Sequence, residues 1–114
     1  MTAERLTAAD LGEPLGTTAT LVEISSAFCA PCRTARRVLE RAAATDPGVT
    51  FVDLDVVRHV DLGERLDVRA TPTVLVLDAD GVVRRQAAGV PTLAQVRAAV
   101  AQVAGAPTAR RAAG

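Results

Sequence analysis

The chain has no lysine, no tryptophan and no tyrosine, and its only aromatic side chains are Phe28 and Phe51. A stacking surface for single-stranded nucleic acid needs several rings along one groove, so that class of binder is excluded. The thirteen basic residues, all arginine, balance thirteen acids, and the formal net charge is zero. No broad field therefore draws the chain to nucleic acid or to an anionic membrane. The same balance leaves little repulsion between copies; a monomer is expected, with a dimer left open. No apolar stretch approaches the length that crosses a bilayer. The opening MTAERLTAADLGEPLG has no apolar run after a basic start, so no secretory signal is visible and a reducing cytoplasm is the expected compartment. Two cysteines are too few for a disulfide scaffold.

What the chain does have is apolar residues, 49% of 114 positions. That suits one compact domain with one modest core and leaves no room for a second. Residues 1–18 read as a lead-in, with Thr7 capping a short helical turn and a weakly signalled strand at 4–6. ATLVEIS at 19–25 is a strand apolar on both faces, as in the centre of a sheet, with Glu23 as the exception. A helix follows, with Pro31 in its first turn and Ala35, Val38, Leu39 and Ala42 near the helical period. VTFVDLDV at 49–56 is a second, parallel strand. Residues 58–68 are expected to hold one short helix around Asp61–Leu66, interrupted or loosened by Gly63. TPTVLVLD at 71–78, the DADG turn and VVRRQAAG form an antiparallel hairpin at the sheet edge, where Arg84 and Arg85 discourage further pairing. Thr92 caps a last helix faced by Leu93, Val96, Val100 and Val103. The expected domain is 19–104, with a flexible tail at 105–114. The order β, long α, β, short α, β, β, α makes an α/β fold with a mixed sheet and helices on both faces.

The sharpest motif is Cys29-Ala30-Pro31-Cys32, between a buried strand and the start of a long helix. Unpaired N–H groups and the helix dipole favour a thiolate at Cys29. Thiolate is the form that attacks a disulfide. Cys32 lies one helical turn on, within reach to resolve a mixed disulfide. A redox dithiol is favoured over two other readings. A structural zinc site wants four ligands, and His59 is the only histidine. An inert pair is the third. His59 is expected to be solvated or to cap, away from the chemistry.

Taken with ATPT at 70–73, the motif resembles the thioredoxin family. FCAPC at 28–32 is similar to the family's tryptophan-cysteine-glycine-proline-cysteine signature, and ATPT to its cis-proline loop. Glu23 stands six residues before Cys29, where the family places a buried aspartate; the DADG turn and Gly89 also match. The resemblance covers about residues 19–104. It implies a thioredoxin-like three-layer α/β/α sandwich with a mixed, mostly four-stranded sheet, and a thiol-disulfide oxidoreductase that reduces protein disulfides. Cys29 would be the exposed nucleophile, Cys32 the buried resolving thiol and Glu23 a proton acceptor for Cys32. Phe28, Ala30, Pro31, Thr71, Pro72 and Gly89 would meet the substrate, with Pro72 cis and the Thr71 backbone pairing with the substrate chain. No bound cofactor or metal is implied, since the two sulfurs carry the electrons. Partners would be disulfide-containing proteins and a flavin-dependent reductase as electron donor. A non-catalytic peptide-binding module is the alternative, and a metal-binding protein the weaker one.

Departures from the family pattern bear on the site. Many thioredoxins carry a lysine near the buried acid on the adjacent strand; the matching position here is read as Phe51, leaving Glu23 without a charged neighbour and protonated to higher pH. Phe51 itself is expected in the core. Phe28 replaces the tryptophan, either as an apolar contact surface or as a core residue. Ala30 replaces glycine. Asp53 and Asp55 are read as loop caps, with a place near the cleft as the alternative; Arg33 as a solvent-facing charge that adds positive potential near the thiolate; and Arg36, Arg37 and Arg41 as ordinary helix surface, open to steering an acidic partner. If the pair is a redox dithiol, thiol titration of the reduced protein should find two reactive thiols, and none after mild oxidation, with a mass loss of about two hydrogens.

Overall fold

A computed structural model describes residues 4–105 of the chain. The expected tail, apart from Gly105, lies outside the described residues. Four strands form one sheet: β1 (Ala19–Ser25), β2 (Val49–Asp55), β3 (Thr73–Asp78) and β4 (Val83–Ala88), in the order β2-β1-β3-β4. β1 runs parallel to β2 and antiparallel to β3, and β4 closes the hairpin with β3. All seven residues of β1 are buried, as the two-sided apolar run requires of a central strand. β3 begins two residues later than its apolar run, because Pro72 has no N–H for the ladder.

Helices cover both faces, giving an α/β/α three-layer sandwich. Alternation along the strands divides the core. Val22, Ile24, Val52, Leu54, Leu75 and Leu77 pack with Leu6, Leu11, Leu62 and Leu66 from α1 (Ala8–Leu11), α3 (Val60–Arg65) and their flanks. On the other face Leu21, Val49, Val74 and Val76 meet Leu39 and Ala42 of α2 (Ala30–Ala44) and Val96, Val100 and Val103 of α4 (Leu93–Gly105). Phe51 is half-buried against this second cluster. A turn of 3-10 helix (Val56–Arg58) precedes α3, which runs unbroken through Gly63. Among the described residues no helix is long and apolar enough to cross a membrane.

Among the described residues the lead-in forms no strand: Arg5 makes a single bridge to Val82. It is nonetheless well anchored. Thr7 and Asp10 form a reciprocal capping box on α1, and Leu6 donates its N–H to the Gly81 carbonyl at 2.9 Å. Gly81 has φ +86°, and a Cβ there would lie 2.1 Å from the Leu6 carbonyl oxygen; only glycine admits that approach. Asp78, which starts the hairpin turn, is buried. It accepts from the N–H groups of Asp80 (2.9 Å) and Val82 (3.0 Å) and from Arg84 Nε (2.8 Å). Arg84 thus serves a buried acid as well as an edge. Leu6 is fully buried in the core, so Leu6→Ala should lower stability by about 2–5 kcal/mol in urea unfolding. A change under about 0.5 kcal/mol would show that the N-terminal segment is not part of the folded unit.

Candidate active site

The chain leaves β1 through Ser26 and Ala27, turns at Phe28 and enters α2. Phe28 has φ +59°, the left-handed region that side chains disfavour. Its ring is fully exposed, which rules out the core role. Cys29 is the N-cap of α2, and its Sγ accepts the Cys32 N–H at 3.2 Å. Ala30 and Pro31 fill the first turn and are exposed. Cys29 and Cys32 are joined by a disulfide, their Cα atoms 5.2 Å apart. Cys32 is buried and Cys29 partly exposed, so one sulfur faces the outside and the other the core.

A second segment meets this pair from across the fold. The Thr71-Pro72 bond is cis. Thr71 brings its carbonyl oxygen to 3.9 Å and its Oγ1 to 4.0 Å from Cys29 Sγ. Ser26 Oγ lies 2.8 Å from Thr71 Oγ1. Gly89, with φ +100°, donates its N–H to the Pro72 carbonyl at 2.9 Å. Phe28, Cys29, Thr71, Pro72 and Gly89 are therefore brought to one end of the sheet.

Glu23 is fully buried in the middle of β1. Neither carboxyl oxygen has a hydrogen-bond partner among the described residues. The register sets Glu23 opposite Asp53 on β2, and Leu21 opposite Phe51. Phe51 is thus not the neighbour of the acid; a second acid is. Asp53 does not cap a loop. It pairs with Arg36 of α2 at 2.8 Å, so Arg36 is more than ordinary helix surface. Burial, with the Asp53 charge, pushes the Glu23 carboxyl up to about 7; Arg36 opposes the shift and Glu40 adds to it. The pKa rises as expected, but beside a like charge rather than beside none. Asp55 does cap, accepting from the Val57 N–H at 2.9 Å. Arg33 is exposed. His59 Nδ1 lies 3.0 Å from the Asp55 carbonyl.

Sequence reasoning missed Ser26 and Arg36 as parts of this environment, and for Asp53 it missed the pairing with Glu23 and Arg36. For Asp53 a signal existed: ATLVE and VTFVD each carry an acid at the fifth position of a strand, and parallel strands that start level bring the two acids side by side. Ser26 carries no comparable signal, because its partner lies 45 residues away. Among the described residues no three His, Cys, Asp or Glu side chains gather where they could hold a metal ion.

An exposed sulfur capping a helix, bonded to a buried one and facing a cis-proline loop, defines a redox-dithiol protein on an α/β/α scaffold. The thioredoxin family profile matches residues 6–107, and the chain belongs to the thioredoxin family. It is similar to Thioredoxin H4-1 of Oryza sativa subsp. japonica, 33% identical over 85 residues, 74% of this chain and 65% of that protein. It is also similar to Thioredoxin H5 of the same plant, 34% identical over 55 residues, 48% of this chain and 41% of that protein. The chain thus spans less than two thirds of the length of these relatives. Its fold is similar to that of chloroplastic thioredoxin z, with a TM-score of 0.71 and 23% identity over 93% of this chain and 97% of that one. It also resembles a mutant thioredoxin from Halobacterium salinarum, with a TM-score of 0.71 and 18% identity over 81% of this chain and 80% of that one.

The buried acid makes stability depend on pH. The folded protein holds the Glu23 proton up to about pH 7, whereas an ordinary glutamate releases it near 4.5. The stabilisation is full below about 4.5 and is lost as pH rises through about 7. The loss is on the order of 3 kcal/mol. Urea unfolding of the oxidised protein should show that fall, and Glu23→Gln should abolish it. A wild type with no fall over that range would mean that the carboxyl titrates as if in water.

Proposed function

We propose that the protein is a protein-disulfide reductase acting through a mixed disulfide. In the reduced form Cys29 is a thiolate at the head of α2, where the Cys32 N–H and the helix dipole favour negative charge. It attacks one sulfur of a substrate disulfide; a bond forms between Cys29 and that sulfur, and the other substrate sulfur leaves as a thiolate. Cys32 then loses its proton, with Glu23 as acceptor, and attacks Cys29 Sγ. The mixed disulfide breaks, the second substrate thiolate leaves, and Cys29–Cys32 carries away the bond. Substrate has gained two electrons and the protein has lost two.

The observation that carries this reading is the placement of Cys29 Sγ, which is partly exposed, bonded to a buried partner and 3.9 Å from the carbonyl before a cis-proline. Glu23 suits the acceptor role because a carboxyl held near 7 exchanges a proton at neutral pH. Phe28, Val57 and Val90 are exposed apolar side chains at the end of the sheet that carries the pair. Phe28 and Val57 follow the same ends of two parallel strands, and Val90 follows Gly89 at the proline loop. A substrate segment laid against Thr71 and Pro72 would rest on that surface. Ala30, Pro31 and Gly89 border it. Disulfide-containing proteins are the proposed substrates, a flavin-dependent thioredoxin reductase the proposed electron donor, and a reducing cytoplasm the proposed compartment.

The test is reduction of insulin or of dithionitrobenzoate with wild type and variants. Cys29→Ser should lose nearly all of the rate, since no nucleophile remains to attack the substrate disulfide. Cys32→Ser should accumulate a mixed disulfide, and Glu23→Gln should slow its resolution more than the first attack. Equal rates for wild type and Cys29→Ser would sink the reductase reading and favour a module that only binds.

A further inference from the structure

We propose that the Thr71 hydroxyl donates a hydrogen bond to the Cys29 thiolate of the reduced protein, and that Ser26 is the positioning residue that directs it. The inference rests on the dithiol reading above and adds two side chains to it. Its first support is the chain of contacts from Ser26 Oγ to Thr71 Oγ1, 2.8 Å, and from Thr71 Oγ1 to Cys29 Sγ, 4.0 Å. Its second is that both hydroxyls are only half-buried but anchored: Ser26 follows the last residue of the central strand, and Thr71 is held by the proline loop.

A hydroxyl has one proton and two lone pairs. In the oxidised protein the Ser26–Thr71 hydrogen bond can run in either direction, since neither disulfide sulfur carries charge. Reduction changes that. Two electrons and one proton convert the disulfide to a Cys29 thiolate and a Cys32 thiol. The thiolate is then the strongest acceptor within reach of Thr71. The Thr71 proton turns to the sulfur, and the Ser26 proton fills the lone pair that faces it. Each bond polarises the next. No covalent bond changes and each proton stays on its own oxygen.

Such a donor has work to do here. The Thr71 carbonyl oxygen lies 3.9 Å from the same sulfur, and its partial negative charge opposes a thiolate. The hydroxyl of the same residue offsets that charge. The consequence is a Cys29 of lower pKa and a pair that is more readily reduced, hence a stronger oxidant than the helix start alone would make it.

The experiment reads the pH dependence of iodoacetamide alkylation at Cys29 in the fully reduced protein, and the equilibrium with glutathione. Thr71→Val keeps the shape and deletes the donor; it should raise the alkylation midpoint by about one pH unit, a tenfold tighter hold on the proton, and make the pair correspondingly harder to reduce. Ser26→Ala should give a smaller rise in the same direction, because Thr71 keeps its proton but loses its guide. The double variant should not exceed Thr71→Val. Thr71→Ser and Ser26→Thr should behave as wild type. An unmoved midpoint in a folded Thr71→Val protein overturns the donor. Fully additive shifts of the two single variants overturn the positioning role. If Thr71→Val does not fold, the Ser26→Ala midpoint alone decides, no shift counting against the proposal. These readouts need no turnover. A shifted midpoint in Thr71→Val alongside a Cys29→Ser protein that still reduces insulin would keep the hydroxyl pair and discard the reductase.

Discussion

At the head of α2 the backbone needs an acceptor for an N–H that no preceding turn can satisfy, and the Cys29 sulfur supplies it. That hydrogen bond ties together the features that matter. It holds Sγ at the positive end of a fifteen-residue helix, keeps it within one turn of Cys32, and fixes the side from which Thr71 approaches. The helix is placed by Cys32, Ala35, Leu39 and Ala42, which it buries. The proline loop is placed by β3, whose partner on one side is β1 itself. Sulfur and loop are thus referenced to the same central strand, although 42 residues separate them.

The central strand also carries the least comfortable group in the molecule. A carboxyl whose two oxygens are buried and, among the described residues, unpartnered is costly to keep charged. Asp53 beside it makes charging harder still, while Arg36 eases it and is itself held by Asp53. The arrangement is a balance of one acid against another acid and a base. It trades some folding free energy for a proton held at a sheet position under the helix that bears the cysteines. An apolar residue there would pack better and could accept nothing.

Much of this was readable from the letters. β1 matched its apolar run to the residue, since a buried strand bounded by polar turns leaves little choice of ends. Thr7 and Thr92 capped their helices as hydroxyls before a helical run do. The cysteine spacing and its strand-to-helix setting pointed to the chemistry without any coordinates, whereas the cis bond at Pro72 was legible only through family resemblance. What stayed hidden were partnerships set by register and by long-range approach. Asp53 meets Glu23 because two strands start level, and Ser26 meets Thr71 because a loop folds back over the helix start. The exposure of Phe28 turned on one backbone angle that its neighbours do not announce. The burial of Leu6 depended on Gly81, at the far end of the β3–β4 hairpin.

The position of β2 at the border of the sheet has a consequence for solubility. A border strand offers backbone donors and acceptors to any other chain that can align with it. This one, VTFVDLD, is rich in β-branched and aromatic residues and would template aggregation in a protein with no net charge to keep copies apart. Asp53 and Asp55 interrupt that run. The acid that raises the Glu23 pKa therefore also acts as a gatekeeper, setting a charge on an otherwise adhesive rim.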